Sequence, residues 1–190
     1  MVIQELIQNF LQTKVSSETI YNEFSLQHEL GIFLRENLKN QKVEFERNIS
    51  FFEFSKDDFV KKEIDISIYN KDKNLCAIEL KFPRNGQYPE QMFSFCKDIK
   101  FLEQLKSKFE KCYFLLIVDD KNFYSSKLLK DGIYQYFRTE NLSQISTLKG
   151  KIEKPTLNSS SKEFTLTGKY KIVWEDFSNL KDWRYCLLEI

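Results

Sequence analysis

The sequence predicts an α/β fold, with a mixed central sheet flanked by helices, from three neighbouring patterns. Segments 63–69 and 75–82 alternate apolar with polar or charged residues on either side of a polar turn, which is typical of a β-hairpin. Segment 89–109 has apolar residues at helical spacing, and 112–118 is a continuous apolar run, typical of a strand covered on both faces. Because 190 residues can enclose one sizeable core, we expect a single domain over residues 1–190.

Two helices and a strand are predicted ahead of the hairpin. Apolar residues recur at helical spacing over 3–11, which predicts a short amphipathic helix. Ser16 and Ser17 are N-cap candidates for a longer helix, whose apolar positions run over 20–38. Segment 43–49 then begins an alternating pattern that predicts the first strand.

Prolines and weaker patterns delimit the remaining elements. Pro83 ends the second strand of the hairpin, and Pro89 suits the first turn of the helix that follows. In the last third of the chain, 123–137 predicts a further helix, 155–161 a polar loop, and 164–174 a hairpin or a bent strand.

The composition limits the classes of function. The 29 basic and 28 acidic residues give a formal net charge of +1, so contact with nucleic acid would require locally concentrated positive charge. The four cysteines form no CxxC pair, and three lie in apolar stretches, which indicates reduced core thiols. The first residues lack the pattern of a signal peptide, and the longest apolar run is far below the roughly 20 residues of a membrane span. We expect a cytoplasmic protein without membrane association.

The hydrophobic pattern of the hairpin also predicts the register of its strands. If residues 70 and 74 flank the turn, one face is apolar, with Ile68 opposite Cys76, Ile66 opposite Ile78 and Ile64 opposite Leu80. The other face then sets Ser67 opposite Ala77, Asp65 opposite Glu79 and Glu63 opposite Lys81. A slip of one residue would scramble both faces. Asp65 and Glu79 are therefore predicted to lie side by side, with Lys81 on the same face.

This trio has the chemistry needed to cleave a phosphodiester. Two adjacent carboxylates repel each other unless a positive charge lies between them, and Mg²⁺ prefers carboxylate oxygens while keeping several waters. Asp65 and Glu79 are therefore candidate metal ligands. A bound metal lowers the pKa of a coordinated water and neutralises charge developing on a phosphate. The Lys81 ammonium would orient or help to deprotonate the water, or stabilise the transition state.

The order of the predicted elements, helix, three strands, helix and strand, resembles the core of the PD-(D/E)XK nuclease superfamily, the restriction-endonuclease-like fold. The match lies on Ile64-Asp65 and on Glu79-Leu80-Lys81, with Ile64 where the motif has proline, and it covers about residues 20–120. The resemblance implies that Asp65 and Glu79 hold Mg²⁺, with Mn²⁺ as a substitute, and that Lys81 serves the water. It also implies a catalytic glutamate on the first core helix, for which Glu29 is the candidate. We expect a nuclease-like core over about 18–120 and a C-terminal extension over about 121–190.

Candidates for contact with DNA follow the third strand. Arg84, Asn85 and Gln87 lie in the loop just after Lys81 and are predicted to meet nucleic acid near the site. A weaker candidate is Lys169-Tyr170-Lys171 with Trp174, which interleaves basic and aromatic residues as single-strand binding surfaces do. An ordinary hairpin with surface lysines explains that second pattern equally well.

Several of these residues have a simpler interpretation. The hairpin charges are also consistent with a solvated strand face, where ion pairs contribute less than about 1 kcal/mol. Glu29 alone is typical of a solvated helix residue, and the lone histidine, His28, of a structural or exposed one. Lys97, Asp98 and Lys100 are explained by the solvated side of their helix.

These observations together predict an Mg²⁺-dependent endonuclease that hydrolyses phosphodiester bonds in DNA, in restriction, phage defence or repair. Because cutting both strands of a duplex usually requires two active sites, we expect a homodimer. Three alternatives remain: an RNA-directed nuclease, a catalytically silent nuclease-like subunit that binds a partner, and an unrelated α/β protein whose Glu79-Leu80-Lys81 is accidental.

Overall fold

The computed structural model describes residues 2–55, 57, 59–125, 131–139, 145–155 and 163–190. The helices described are α1 (Ile3–Thr13), α2 (Glu23–Asn37), α3 (Tyr88–Leu105) and α4 (Tyr134–Phe137). The strands are β1 (Lys42–Asn48), β2 (Glu63–Tyr69), β3 (Asn74–Lys81), β4 (Lys111–Val118), β5 (Ser146–Glu153), β6 (Glu163–Ile172), β7 (Glu175–Asp176) and β8 (Arg184–Glu189), with 3₁₀ turns at Ile49–Phe52 and Lys121–Phe123. Among these helices, none is both long enough and apolar enough to cross a membrane.

A mixed sheet organises these elements. Its strands lie in the order β1-β2-β3-β4-β8-β7. β3 and β4 are parallel and are connected through α3, whereas the other neighbouring strands pair antiparallel. β5 and β6 form a separate antiparallel pair. The predicted α/β class with a mixed central sheet is confirmed.

Apolar side chains cover both faces of this sheet. Along β4, Tyr113, Leu115 and Ile117 pack in one cluster with residues of α1 and α2, and Cys112, Phe114, Leu116 and Val118 pack in another with residues of α3. All seven side chains are buried, as predicted for segment 112–118. The four cysteines are buried free thiols, also as predicted.

The hairpin β2–β3 has the predicted register over its three central residue pairs, whereas the predicted pairs of residues 63–65 with 79–81 are not part of it. Ile66 pairs with Ile78, Ser67 with Ala77 and Ile68 with Cys76. The prediction for the turn was wrong by one residue, because an irregularity after Ile68 sets Tyr69 opposite Asn74. The prediction that Ile64, Ile66 and Ile68 share one apolar face was wrong for Ile64. Ile66 and Ile68 pack in the cluster on the α2 side of the sheet, whereas Ile64 packs in the cluster on the α3 side.

Helix α2 begins later than the sequence predicted. Asn22, not Ser16 or Ser17, is its N-cap: the Asn22 side chain accepts a hydrogen bond from the Ser25 backbone N–H at 2.8 Å. The Ser25 hydroxyl lies 3.0 Å from the Asn22 backbone nitrogen, which completes a reciprocal cap. Ser16 instead contacts Thr19 in the preceding turn, where the two hydroxyls are 2.9 Å apart.

The C-terminal third adds a β-hairpin to the α3 side of the sheet. Within 123–137 the structure gives the short helix α4 in place of the long predicted helix, with 126–130 outside the described residues. The predicted loop 155–161 lies almost wholly outside them as well. Of the two predictions for 164–174, a hairpin or a bent strand, the structure has a single strand, β6. Glu103 of α3 holds this strand by accepting from the backbone N–H of Thr167 at 2.8 Å and of Gly168 at 2.7 Å.

Candidate functional site

Asp65 and Glu79 lie just past Ile66–Ile78, the last residue pair in the β2–β3 register at this end of the hairpin. Beyond it, side chains bond to the backbone of the opposite strand. The Asp65 N–H donates to Glu79 Oε1 at 3.2 Å, and the Leu80 N–H donates to Asp65 Oδ2 at 2.8 Å. The two carboxylates are buried, Glu79 completely and Asp65 with 6% of its surface exposed. Each is thereby fixed in position by the other strand.

A lysine ammonium lies between these two carboxylates. Lys61, in the connection that leads into β2, places Nζ 2.6 Å from Asp65 Oδ1 and 2.5 Å from Glu79 Oε2. Its side chain is one quarter exposed, so the ammonium lies where the buried pair meets the surface. One oxygen of each carboxylate therefore points at a single cation.

Lys81 is held by a second pair of acids, one from α2 and one from α3. Its Nζ lies 3.0 Å from Glu23 Oε1, in the first turn of α2, and 3.1 Å from Asp98 Oδ2, in the middle of α3. Glu23 Oε2 also accepts from the Phe82 backbone N–H at 3.3 Å. Asp98 is buried, so the prediction that it belongs to a solvated helix face was wrong.

Burial and mutual charge shift the proton equilibria of this cluster. Burial raises the pKa of Glu79 well above its usual range, and the Asp65 carboxylate raises it further against the opposing effect of Lys61. Burial likewise raises the pKa of Asp98, partly offset by Lys81 and Lys61. Together with the partly exposed Glu23, four carboxylates thus meet two ammonium groups, which leaves two excess negative charges when all six are ionised.

Both lysines remain protonated in this environment. Burial alone would lower the pKa of Lys61, but the carboxylates of Glu79 and Asp65 outweigh burial and raise it. The same balance holds for Lys81, where Asp98 and Glu23 outweigh burial and raise the pKa above its ordinary value. Lys81 is therefore a hydrogen-bond donor and a positive charge at neutral pH, not a base.

The other residues predicted for the site do not contact the carboxylate pair. Arg84, Asn85 and Gln87 form an exposed rim between β3 and α3, and Glu29 lies on α2. Glu29 is partly exposed and contacts His28, with Oε1 3.4 Å from Nδ1. Arg84 is exposed, pairs with Asp119 and lies over the Phe82 ring at 5.0 Å. Asn85 and Gln87 are exposed at the start of α3, where the Asn85 side chain accepts from the Gln91 amide at 3.0 Å.

The aromatic residues proposed as a stacking surface have structural roles. Tyr170 is buried and its hydroxyl donates to Glu103 at 2.9 Å. Trp174 is buried and its indole N–H donates to the Phe137 carbonyl at 2.8 Å. Of the four residues of that pattern, only Lys169 and Lys171 are exposed. The ordinary-hairpin interpretation explains the pattern better.

Sequence reasoning missed Lys61, Glu23 and the buried amide of Gln27. Gln27 Nε2 donates to the Asp65 backbone carbonyl at 2.8 Å and to Glu46 Oε1 at 2.6 Å, so α2 supports the strand that carries Asp65. Gln27 and Glu23 are four residues apart and so share a helix face, which was an available signal. Lys61 precedes the strand, and no periodic pattern indicated where its side chain would lie.

A surface groove of about 530 Å³ lies beside the connection that carries Lys61. It is lined by Val60, by α3 residues including Phe93 and Lys97, and by Lys154 and Phe164 of the C-terminal hairpin region. The two lysines of this groove are matched by two glutamates that also line it, Glu90 and Glu163, so the groove carries no net charge.

The carboxylate pair fits a hard divalent cation. Mg²⁺ is commonly held by one or two carboxylates, with waters and substrate phosphates completing its shell. Asp65 Oδ1 and Glu79 Oε2 already share one cation, the Lys61 ammonium. Within the described part of the chain, no group of three or more His, Cys, Asp or Glu side chains is arranged to hold a metal, so such an ion would depend on this pair.

No family model, no curated protein and no solved structure matches this chain. The positions of Asp65, Glu79, Lys61 and Lys81 are therefore the basis for assigning a function.

Proposed function

We propose that this protein is a metal-dependent nuclease that hydrolyses phosphodiester bonds in DNA, with Asp65 and Glu79 as metal ligands and Lys81 as a catalytic cation. The observation that carries the proposal is the convergence of one oxygen from each buried carboxylate on a single positive charge. Burying two carboxylates is costly unless a cation compensates their charge. A divalent metal ion would provide that compensation and would also promote hydrolysis of a phosphodiester.

The order of elements supports the same proposal. Helix α2, strands β1, β2 and β3, helix α3 and strand β4 follow one another as in the PD-(D/E)XK core, and β3 and β4 are parallel neighbours. Asp65 lies on the second strand of this series, and Glu79 and Lys81 on the third, as the motif requires. We propose the restriction-endonuclease-like core as the finer description of the fold.

The residues of the chain have separable roles in this mechanism. A bound Mg²⁺ would supply an activated water and compensate charge on the phosphate. Asp65 and Glu79, each fixed by a backbone N–H of the other strand, would hold and orient that ion. Lys81, kept as an ammonium by Glu23 and Asp98, donates a hydrogen bond to the water or to a phosphate oxygen and stabilises developing negative charge.

The substrate assignment depends on the rim of the site. Asn85 and Gln87 are exposed at the start of α3, where they are available to contact the phosphate backbone, and Arg84 would do so by exchanging Asp119 for a phosphate. A homodimer would place two such sites on a duplex, as double-strand cleavage in restriction or phage defence requires. RNA is the alternative substrate, and cleavage of RNA in preference to DNA would identify it.

A second candidate function, that of a catalytically silent nuclease-like binding subunit, is favoured by one observation. Lys61 already compensates the charge of Asp65 and Glu79. A permanent ion pair of this kind would keep the fold stable without a metal, and the rim would then serve to bind a partner.

Cleavage with matched variants tests the proposal. Supercoiled plasmid, single-stranded DNA and RNA are incubated with the protein and Mg²⁺, Mn²⁺ or EDTA. The isosteric variants Asp65→Asn and Glu79→Gln are expected to lose cleavage, whereas Glu29→Gln, at a partly exposed carboxylate, keeps it. Absence of cleavage by folded wild-type protein, or equal cleavage by Glu79→Gln, would reject the nuclease.

A further inference from the structure

The position of Lys61 distinguishes it from the other lysine of the site. Its Nζ contacts Asp65 Oδ1 and Glu79 Oε2 within 2.6 Å, the same two oxygens that the proposed metal would use. Mg²⁺ binds carboxylate oxygens at about 2.0–2.1 Å, so the ion and the ammonium cannot occupy this point together. Lys81 contacts Glu23 and Asp98 instead, and neither is a proposed ligand.

We propose that Lys61 is a tethered cation that occupies the metal position in the metal-free protein and is displaced when a divalent cation binds. This inference rests on the proposed function. Lys61 therefore competes with the metal for Asp65 and Glu79, and the negative charge of this pair is compensated in both states. The free energy of metal binding is then reduced by the cost of displacing the ammonium.

The charge balance favours the exchange. With Lys61 in place, the four carboxylates of Asp65, Glu79, Asp98 and Glu23 exceed the two ammonium groups by two negative charges when all are ionised. Replacing a charge of +1 by one of +2 at the same point removes one of these two. Because isolated charge in a buried site is costly, the divalent state is the better compensated one.

The side chain of Lys61 has a path out of the site. It is one quarter exposed, whereas that of Lys81 is 12% exposed, and its long aliphatic stem permits rotation of the ammonium into water. The backbone beside it is anchored, since the Val60 N–H donates to the Gln104 side chain at 3.1 Å and the Lys62 carbonyl accepts from the Ile49 N–H at 2.9 Å. Displacement therefore requires side-chain rotation alone.

Binding of Mn²⁺ by the full chain without nucleic acid tests this exchange. Free Mn²⁺ is measured by electron paramagnetic resonance for wild type, Lys61→Met and Lys62→Met, the last a matched loss of charge at the exposed neighbouring residue. Lys61→Met is expected to bind Mn²⁺ at least about tenfold more tightly than wild type, and Lys62→Met within about twofold. Equal affinity of Lys61→Met and wild type would overturn the inference.

The remaining outcomes separate this inference from the proposed function. If Lys61→Met binds Mn²⁺ and wild type does not, the Lys61 ammonium is a permanent substitute for the metal. That result would overturn displacement and support the catalytically silent binding subunit. Absence of binding by every folded variant would reject the metal site and hence the proposed function as well.

A measurement on wild-type protein covers the case in which Lys61→Met does not fold. Lysine acetylation by a small amine-reactive ester is quantified by mass spectrometry with and without Mn²⁺. Displacement predicts a severalfold rise in the labelling of Lys61 with Mn²⁺ and no change at Lys81. Unchanged or reduced labelling of Lys61 under saturating Mn²⁺ would overturn the inference.

Discussion

Glu23 and Lys81 are 58 residues apart in the chain, yet the Glu23 carboxylate lies 3.0 Å from the Lys81 ammonium. Glu23 thus connects the first turn of α2 to the end of β3. It is this residue, not Glu29, that brings an acid of the first core helix to the proposed catalytic lysine. Glu29 contacts its neighbour His28 instead.

The pair Glu23 and Glu29 offers a matched test of this connection. Glu23→Gln keeps the shape of the side chain but removes one of the two charges that hold Lys81, so we expect a loss of cleavage of about tenfold, as for other residues that support a site group. Glu29→Gln removes the same charge six residues along the helix and should leave cleavage within about twofold. Steady-state rates with Mg²⁺ measure both. The reverse order of effects would restore Glu29 as the helix glutamate of the site.

Lys81 and Asp98 form a buried ion pair whose loss should be detectable as instability. Lys81→Met leaves the Asp98 carboxylate without its ammonium, and removal of one partner from a buried pair costs about 3–5 kcal/mol. Lys81→Met/Asp98→Asn removes the uncompensated charge and should recover a large part of that loss. Urea unfolding of wild type, both single variants and the double variant gives the coupling energy. Additive effects would contradict a direct pairing of these two residues.

The hairpin register shows what periodicity can predict and where it stops. The alternation of β2 and β3 predicted the pairs from Ile66–Ile78 to Ile68–Cys76, because one buried face makes a slip costly. It did not predict the irregularity at Tyr69, nor that Ile64 would pack on the opposite side from Ile66. Those features arise from the packing of neighbouring elements, which a local pattern does not contain.

The sequence predicted the site residues that lie on β2 and β3, but not those that reach the site from helices and connections. The alternation predicted that Asp65 and Glu79 would lie close together, and both contact Lys61, whereas Lys81 contacts Glu23 and Asp98. Asp98 was assigned to solvent from its polar character, although a helix packed against a charged strand face buries its polar residues too. Lys61 reaches the carboxylates from a connection without periodic structure, so its position follows from the tertiary fold alone.

Glu103 provides a test of the attachment of the C-terminal hairpin to α3. Its carboxylate accepts from Thr167 and Gly168 backbone N–H groups and from the Tyr170 hydroxyl. Burial alone would raise the pKa of Glu103, but these hydrogen bonds outweigh burial and lower it below the ordinary 4.5. Hydrogen bonds to a charged group contribute about 1.5–3 kcal/mol each. Because the amide oxygen of glutamine can still accept some of these hydrogen bonds, we expect Glu103→Gln to destabilise the fold by about 2 kcal/mol.

The pH dependence of that difference follows from the lowered pKa. A carboxyl group that is more acidic in the folded state contributes its stability above its unfolded pKa and loses it as pH falls through the folded pKa. The stability difference between wild type and Glu103→Gln should therefore be full at neutral pH and shrink below about pH 4.5. Urea unfolding across this range measures it, with Glu110→Gln, at an exposed carboxylate paired with Lys73, as the control. A difference that stayed constant with pH would show that Glu103 acts through its shape and not through its charge.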